Sequence, residues 1–263
     1  MATVPGALRP YVTSLEAYDV TMGAPGVHRG LPTTSLTFVL PMGEPLDVGW
    51  GDGLARRKRW SSVSGLHAGP AAIHHNGTQR GIQLALTSAG ARALLGVPAS
   101  VLAGELLELD DVATDLADLP ERLDGLGLEH GLAVVVRALT TALARHGASA
   151  SRAELGRALA GLARGDTVAG VADQLGYSRR RLSTLVKQEC GLTPKEYQRV
   201  ARFEASRRHL GHKPLAEVAA VCGYADQAHL ARAWSDLAGC PPTTWLREEF
   251  PFVQDHETKS RAR

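Results

Sequence analysis

The chain has 263 residues, 44% of them hydrophobic and 21% charged, with a formal net charge of +2. That composition supports packed cores and excludes a globally disordered or collagen-like chain. No apolar run approaches the roughly eighteen residues of a membrane span. The start MATVPGALRPYV lacks the basic and apolar regions of a signal peptide, so a cytoplasmic protein with no membrane partner is expected. The cysteines Cys190, Cys222 and Cys240 are odd in number and not clustered. They read as reduced structural thiols rather than a disulfide framework or a zinc site.

In chain order, the first 87 residues read as β-rich. Strands are predicted at Ser35–Pro41, Pro45–Trp50, Arg59–Ala68, Pro70–His75 and Gly81–Leu86, divided by Gly, Pro, Asn and Asp clusters. Such spacing points to a cupin-like barrel or a small sandwich. The basic run RRKRW, Arg56–Trp60, falls between strands and reads as a solvated turn, with an anion contact as the sharper alternative. TSAGARALLG follows as a short helix closed by Gly96. From Asp115 the pattern turns helical: LADLPERLDGL breaks at Pro120, and Leu132, Val135, Val136, Leu139 and Leu143 stripe one face of Glu129–Arg145. That stripe suits a core contact or a dimer seam. The small, polar HGASAS is the expected boundary. The fold class expected is therefore α+β and multidomain, with a β-rich domain over 1–112, a helical linker over 113–148, an all-α domain over 149–250 and a flexible tail over 251–263.

Charge divides along the same boundary. Residues 1–150 hold 11 Lys/Arg against 14 Asp/Glu, while residues 151–250 hold 15 against 11. The modest basic excess permits a nucleic-acid partner for the C-terminal part.

Within that part the sequence repeats itself. VADQLGYSRRRLSTLVKQECGLTPKEYQ starts at Val171, and VAAVCGYADQAHLARAWSDLAGCPPTTW starts at Val218. Each copy reads as a short helix, a glycine turn with an aromatic, and a second helix, the helix-turn-helix pattern. The shared positions are the packing ones: Leu182, Leu185, Val186 and Cys190 in the first copy, Leu230, Ala233, Trp234 and Leu237 in the second. The divergent ones fall on the opposite face. They are Arg180, Ser183, Thr184 and Lys187 at helical steps in the first copy, and Gln227 or Ala228, Ala231, Arg232 and Ser235 in the second. A helix fits the major groove of DNA, where Arg reads guanine and Gln reads adenine. A connecting helix from Pro194 to Leu210 would span about 25 Å and hold the two reading helices near one DNA turn apart. A solvated basic face is the alternative for Arg179–Arg181 taken alone.

Residues 152–248 resemble the DNA-binding region of the AraC/XylS family of bacterial transcription regulators. The resemblance is carried by GYADQAHLARAWSDLAGCPPTTW and by the linker ARFEASRRHL. It implies seven helices, two helix-turn-helix units and control of transcription at promoter DNA. By motif position, base contacts would fall on Arg180, Ser183, Thr184, Gln227, Ala228 and Arg232. Thr167, Ser178, Arg179, Lys187, Lys213 and His229 are the candidates for phosphate contacts. The family pattern often has Phe-Lys late in each reading helix; here the pairs are Val186-Lys187 and Trp234-Ser235, so the second unit lacks the lysine. NGTQRGIQLALTSAGARALLGVPASVLAGELLELDDV is similar to a stretch upstream of this region in some members. It implies a sensor-like domain that binds a small-molecule effector or forms a homodimer. RNA polymerase is an expected partner, and the protein would be nucleoid-associated.

A cupin-like, metal-dependent enzyme or sensor is the alternative. His67, His74 and His75 lie near predicted strands, but neighbouring His74 and His75 should point to opposite sheet faces and not line one pocket. No metal site, cofactor or catalytic residue is assigned. A methyl-accepting repair protein would need a cysteine cluster upstream, and residues 1–189 contain no cysteine. No Gly-rich phosphate loop or nucleophile elbow is present.

Overall fold

The computed structural model describes residues 3–50, 55–146 and 153–248. The expected boundary at HGASAS and the tail over 251–263 lie outside these residues.

Among the described residues, nine strands form two antiparallel sheets. β1 (Val12–Thr21), β8 (Thr78–Leu86), β3 (Leu36–Pro41), β6 (Ser62–Ser64) and β9 (Leu106–Leu107) make the larger, in that order. The smaller runs β2 (Gly26–Gly30), β7 (Ala71–His75), β4 (Leu46–Trp50) and β5 (Ala55–Arg59). Period-two alternation gives the larger sheet its apolar face. Leu36, Phe38 and Leu40 pair across to Leu86, Leu84 and Ile82, and all six are fully buried.

That face is covered by helices. α1 (Ser88–Leu95) is capped by Thr87, whose hydroxyl accepts from the Gly90 amide, and closes at Gly96 with φ 74°. α2 (Ala99–Leu102), α3 (Leu109–Val112) and α4 (Leu119–Leu123) are short; Pro120 opens α4 rather than breaking it. α5 (Leu128–His146) lays Val135, Leu139 and Ala142 into the same core as Phe38, Ile82 and Leu84. The helical stripe read from the sequence is thus packed against the sheet.

Three strands also differ from the sequence reading. The run Arg56–Arg59 is not a turn but β5, an edge strand paired to β4 from Leu46↔Arg59 to Trp50↔Ala55. Charged side chains are tolerated there because an edge has one unpaired, solvated side, and they discourage edge-to-edge association. β1 and β2, which carry Glu16, Asp19, His28 and Arg29, are too polar to announce themselves by hydropathy; cross-strand pairing with β8 and β7 holds them.

The C-terminal region is seven helices: α6 (Ala153–Arg164), α7 (Val168–Gln174), α8 (Arg179–Cys190), α9 (Pro194–Arg207), α10 (Leu215–Val221), α11 (Gln227–Ala238) and α12 (Pro242–Glu248). They bury two cores. Leu155, Leu162, Val171, Leu182, Val186 and Val200 belong to the first. Phe203, Val218, Leu230, Trp234, Leu237 and Trp245 belong to the second, where Trp234 lies tilted against Phe203 at 4.6 Å and Trp245 at 5.4 Å. α9 supplies Val200 to one and Phe203 to the other, so one rigid helix of about 21 Å couples both units.

Candidate nucleic-acid interface

The two helix-turn-helix units close their turns with the same hydrogen bonds. After α7 the Tyr177 amide donates to the Ala172 carbonyl at 2.8 Å and the Gly176 amide to Asp173 at 3.1 Å. After α10 the Tyr224 amide donates to Ala219 at 2.8 Å and the Gly223 amide to Ala220 at 3.2 Å. This is the Schellman arrangement, and it needs a left-handed residue at its hinge: Gly176 has φ 68° and Gly223 has φ 71°.

Each reading helix is then started by a side-chain cap. The Ser178 hydroxyl accepts from the Arg181 amide at 3.2 Å on α8, and the Asp226 carboxylate accepts from the His229 amide at 2.6 Å on α11. Both helices end at left-handed glycines, Gly191 and Gly239. With Leu182, Leu185, Val186 and Cys190 buried on α8, and Leu230, Ala233, Trp234 and Leu237 on α11, the opposite faces are left outward.

On those faces Arg180, Thr184, Gln227, Ala228 and Arg232 are exposed and Ser183 is half-buried. Of the phosphate candidates, Arg179 and Lys187 are exposed. Thr167 is the exposed N-cap of α7 and accepts from the Gly170 amide at 3.0 Å. Lys213 is half-buried and ion-paired with Glu217. His229 is half-buried, stands edge-on to Tyr224 at 5.3 Å, and its Nδ1 accepts from the Ala225 amide at 3.3 Å.

Residues 171–248 match the model of a family described as a helix-turn-helix domain. That match spans both paired turns and both helices α8 and α11. The C-terminal region thus carries an AraC-type helix-turn-helix domain.

The whole architecture of this chain is also found among solved structures. ToxT from Vibrio cholerae O395 is 11% identical, with a TM-score of 0.53 over 90% of this chain and 98% of that one. ToxT from Vibrio cholerae strain SCE256, in a structure with an unsaturated fatty acid bound, is 12% identical, with a TM-score of 0.50 over 94% and 97%. At that identity the likeness is one of fold. Comparison with curated protein sequences finds no match.

Several groups at the reading surface escaped the sequence reading. The Arg181 guanidinium lies 4.2 Å over the Tyr177 ring, whose hydroxyl donates to Glu154 at 2.7 Å. Tyr177 and Arg181, together with Arg180, Thr184 and Gln188, border a hollow of about 390 Å³ beside α8. The i, i+4 spacing of Tyr177 and Arg181 was the available signal. The acids Asp226 and Asp236 on α11 were likewise passed over.

In the β-rich region, the turns joining β1 to β2, β3 to β4 and β7 to β8 border a cleft of about 950 Å³. Its charged lining includes Asp19, Glu44, Asp47, Arg56, Lys58 and Arg80. Arg56 grips Asp47 through two bonds of 2.7 and 2.6 Å, and this holds the buried Asp47 carboxyl below the usual carboxylate range. His74 and His75 both border the cleft, contrary to the expectation from strand alternation. His67 turns instead to its own loop, Nδ1 lying 2.6 Å from the Gly69 carbonyl, and burial pushes its pKa down. His28, which the sequence reading missed, is pushed down to about 4 by burial and by His75, 5.8 Å away between ring centres. Among the described residues no group of three His, Cys, Asp or Glu could hold a metal ion, and no helix is long and apolar enough to cross a membrane.

Proposed function

We propose that the chain reads promoter DNA with both helix-turn-helix units, placing α8 and α11 in successive major grooves. Arg180, Ser183, Thr184, Gln227, Ala228 and Arg232 make the base contacts. Thr167, Ser178, Arg179, Lys187, Lys213 and His229 meet phosphates. The functional division is a sensing unit over 1–112, a linking or dimerising segment over 113–148 and a DNA-binding unit over 149–250. A small-molecule effector held by the β-rich unit, with the cleft of about 950 Å³ as its candidate seat, alters how the reading helices are presented to DNA or to RNA polymerase. The solved ToxT structure with an unsaturated fatty acid bound lends this arrangement support on a shared fold. The protein acts by binding rather than catalysis, in the nucleoid-associated cytoplasm.

The observation that carries the reading is the pair of matched helices whose divergent faces stay accessible while their shared faces are buried. Selection of bound fragments from genomic DNA with the full chain gives the operator. Arg232→Ala is then expected to cost about 1–3 kcal/mol at one or two base pairs. Equal weakening on every sequence would make Arg232 a phosphate contact instead.

A further inference from the structure

The two units share one scaffold but not one charge. α8 carries Arg179, Arg180, Arg181 and Lys187 against Glu189 alone. Glu189 is turned from the reading face: its side chain is 13% exposed and binds Arg92 of α1 at 3.0 Å. α11 carries Arg232 against Asp236 and is capped by Asp226. Both acids are exposed.

The caps sharpen the contrast. A helix N-terminus attracts anions through its free amides and dipole. Ser178 leaves that attraction in place on α8, whereas the Asp226 carboxylate cancels it on α11. The position of Lys187 in the first unit is Ser235 in the second, and that of Gln188 is Asp236. The arginines of α9 that reach the second unit do not compensate. Arg199 is paired with Asp236 at 2.6 Å, and Arg202 donates to the Gly223 carbonyl at 3.2 Å while lying over the Tyr224 ring.

We propose that the first unit is the electrostatic anchor of the complex and the second a near-neutral reader. The larger share of the phosphate attraction and of its salt dependence comes from α8, since Lys213 of the second unit is paired with Glu217. Asp226 and Asp236 suppress the second unit's affinity for non-matching duplex, so that it engages only where Arg232 and Gln227 meet their base pairs. This is specificity by disfavouring the wrong partner. It rests on the reading of both units as DNA readers.

The test titrates the full-length chain with a mixed-sequence duplex of about 30 base pairs across a salt series. Lys187→Ala is expected to lower the slope of log K against log salt by about one. Asp226→Asn with Asp236→Asn is expected to tighten mixed-sequence binding by roughly tenfold near 0.1 M salt; asparagine keeps the cap, so folding is preserved. Gln188→Asp, which places an acid at the matching point of the first unit, should weaken binding. Wild-type affinity and slope in the double asparagine variant, or an unchanged slope in Lys187→Ala, would overturn the proposal. A wild-type chain that binds no duplex at low salt would overturn the reading beneath it.

Discussion

Gly176, Gly223 and Gly191 all have positive φ, yet they answer to different surroundings. No atom lies within 4 Å of a Cβ built on Gly176 or Gly223, so an alanine there meets only the backbone penalty of the left-handed region. Gly176→Ala or Gly223→Ala is expected to cost about 1–2 kcal/mol in urea unfolding and leave base preference unchanged. At Gly191 a Cβ would stand 2.1 Å from that of Ala103, so alanine must also push α8 away from the α2 turn, and the loss should exceed that at Gly176. Cys190 is fully buried, accompanied by the Ser88 hydroxyl at 3.3 Å, and burial pushes its thiol up to about 11. At pH 8 in the folded chain iodoacetamide should therefore modify half-buried Cys222 and spare Cys190.

At the scale of elements, α9 shows how a local signal sets a long-range geometry. Its capping box is complete: the Thr193 hydroxyl accepts from the Glu196 amide at 3.3 Å, and the Glu196 carboxylate accepts from the Thr193 amide at 2.8 Å. The backbone bond from Thr193 is the main cause holding the Glu196 carboxyl below the usual carboxylate range. A depressed folded-state pKa gives stability that is present above the unfolded value and lost as pH falls through the folded one. Glu196→Ala is thus expected to cost about 0.5–1 kcal/mol at pH 7, with the difference from wild type fading below about pH 4. Thermal melts across pH measure it. The cap and Pro194 were legible from the residues alone. That α9 would feed Val200 into one core and Phe203 into another was not, since both are simply apolar in the sequence.

Across the whole molecule, the β-rich region grips both reading units and the helix between them. The Glu204 carboxylate of α9 accepts from the Thr34 amide at 3.0 Å and its hydroxyl at 2.7 Å, 170 residues apart in the chain. Arg92 reaches Glu189 at the end of α8, and Arg29 reaches Glu248 on α12 at 2.9 Å. Leu66 enters the core of the first unit, and Leu31 packs against that of the second. Removing the Glu204 acceptor leaves two half-buried donors unpaired, a loss of about 1–3 kcal/mol each where water cannot replace it. Glu204→Ala combined with Glu189→Ala should therefore split thermal unfolding into two transitions, read by calorimetry.

The C-terminal helices, the two glycine turns and the buried faces of α8 and α11 were legible in the sequence alone. Such signals are local: a 3.6-residue period, a capping Ser or Asp, a glycine at each hinge. A duplicated copy let each unit check the other. Only the tertiary structure decided that Arg56–Arg59 is an edge strand, that polar β1 and β2 complete the sheets, and that a cleft joins three distant turns. It alone also brought Thr34 to Glu204 and Ser88 to Cys190. Those features depend on pairings across many tens of residues, where hydrogen-bond register and burial outweigh the weak preferences of a short polar segment.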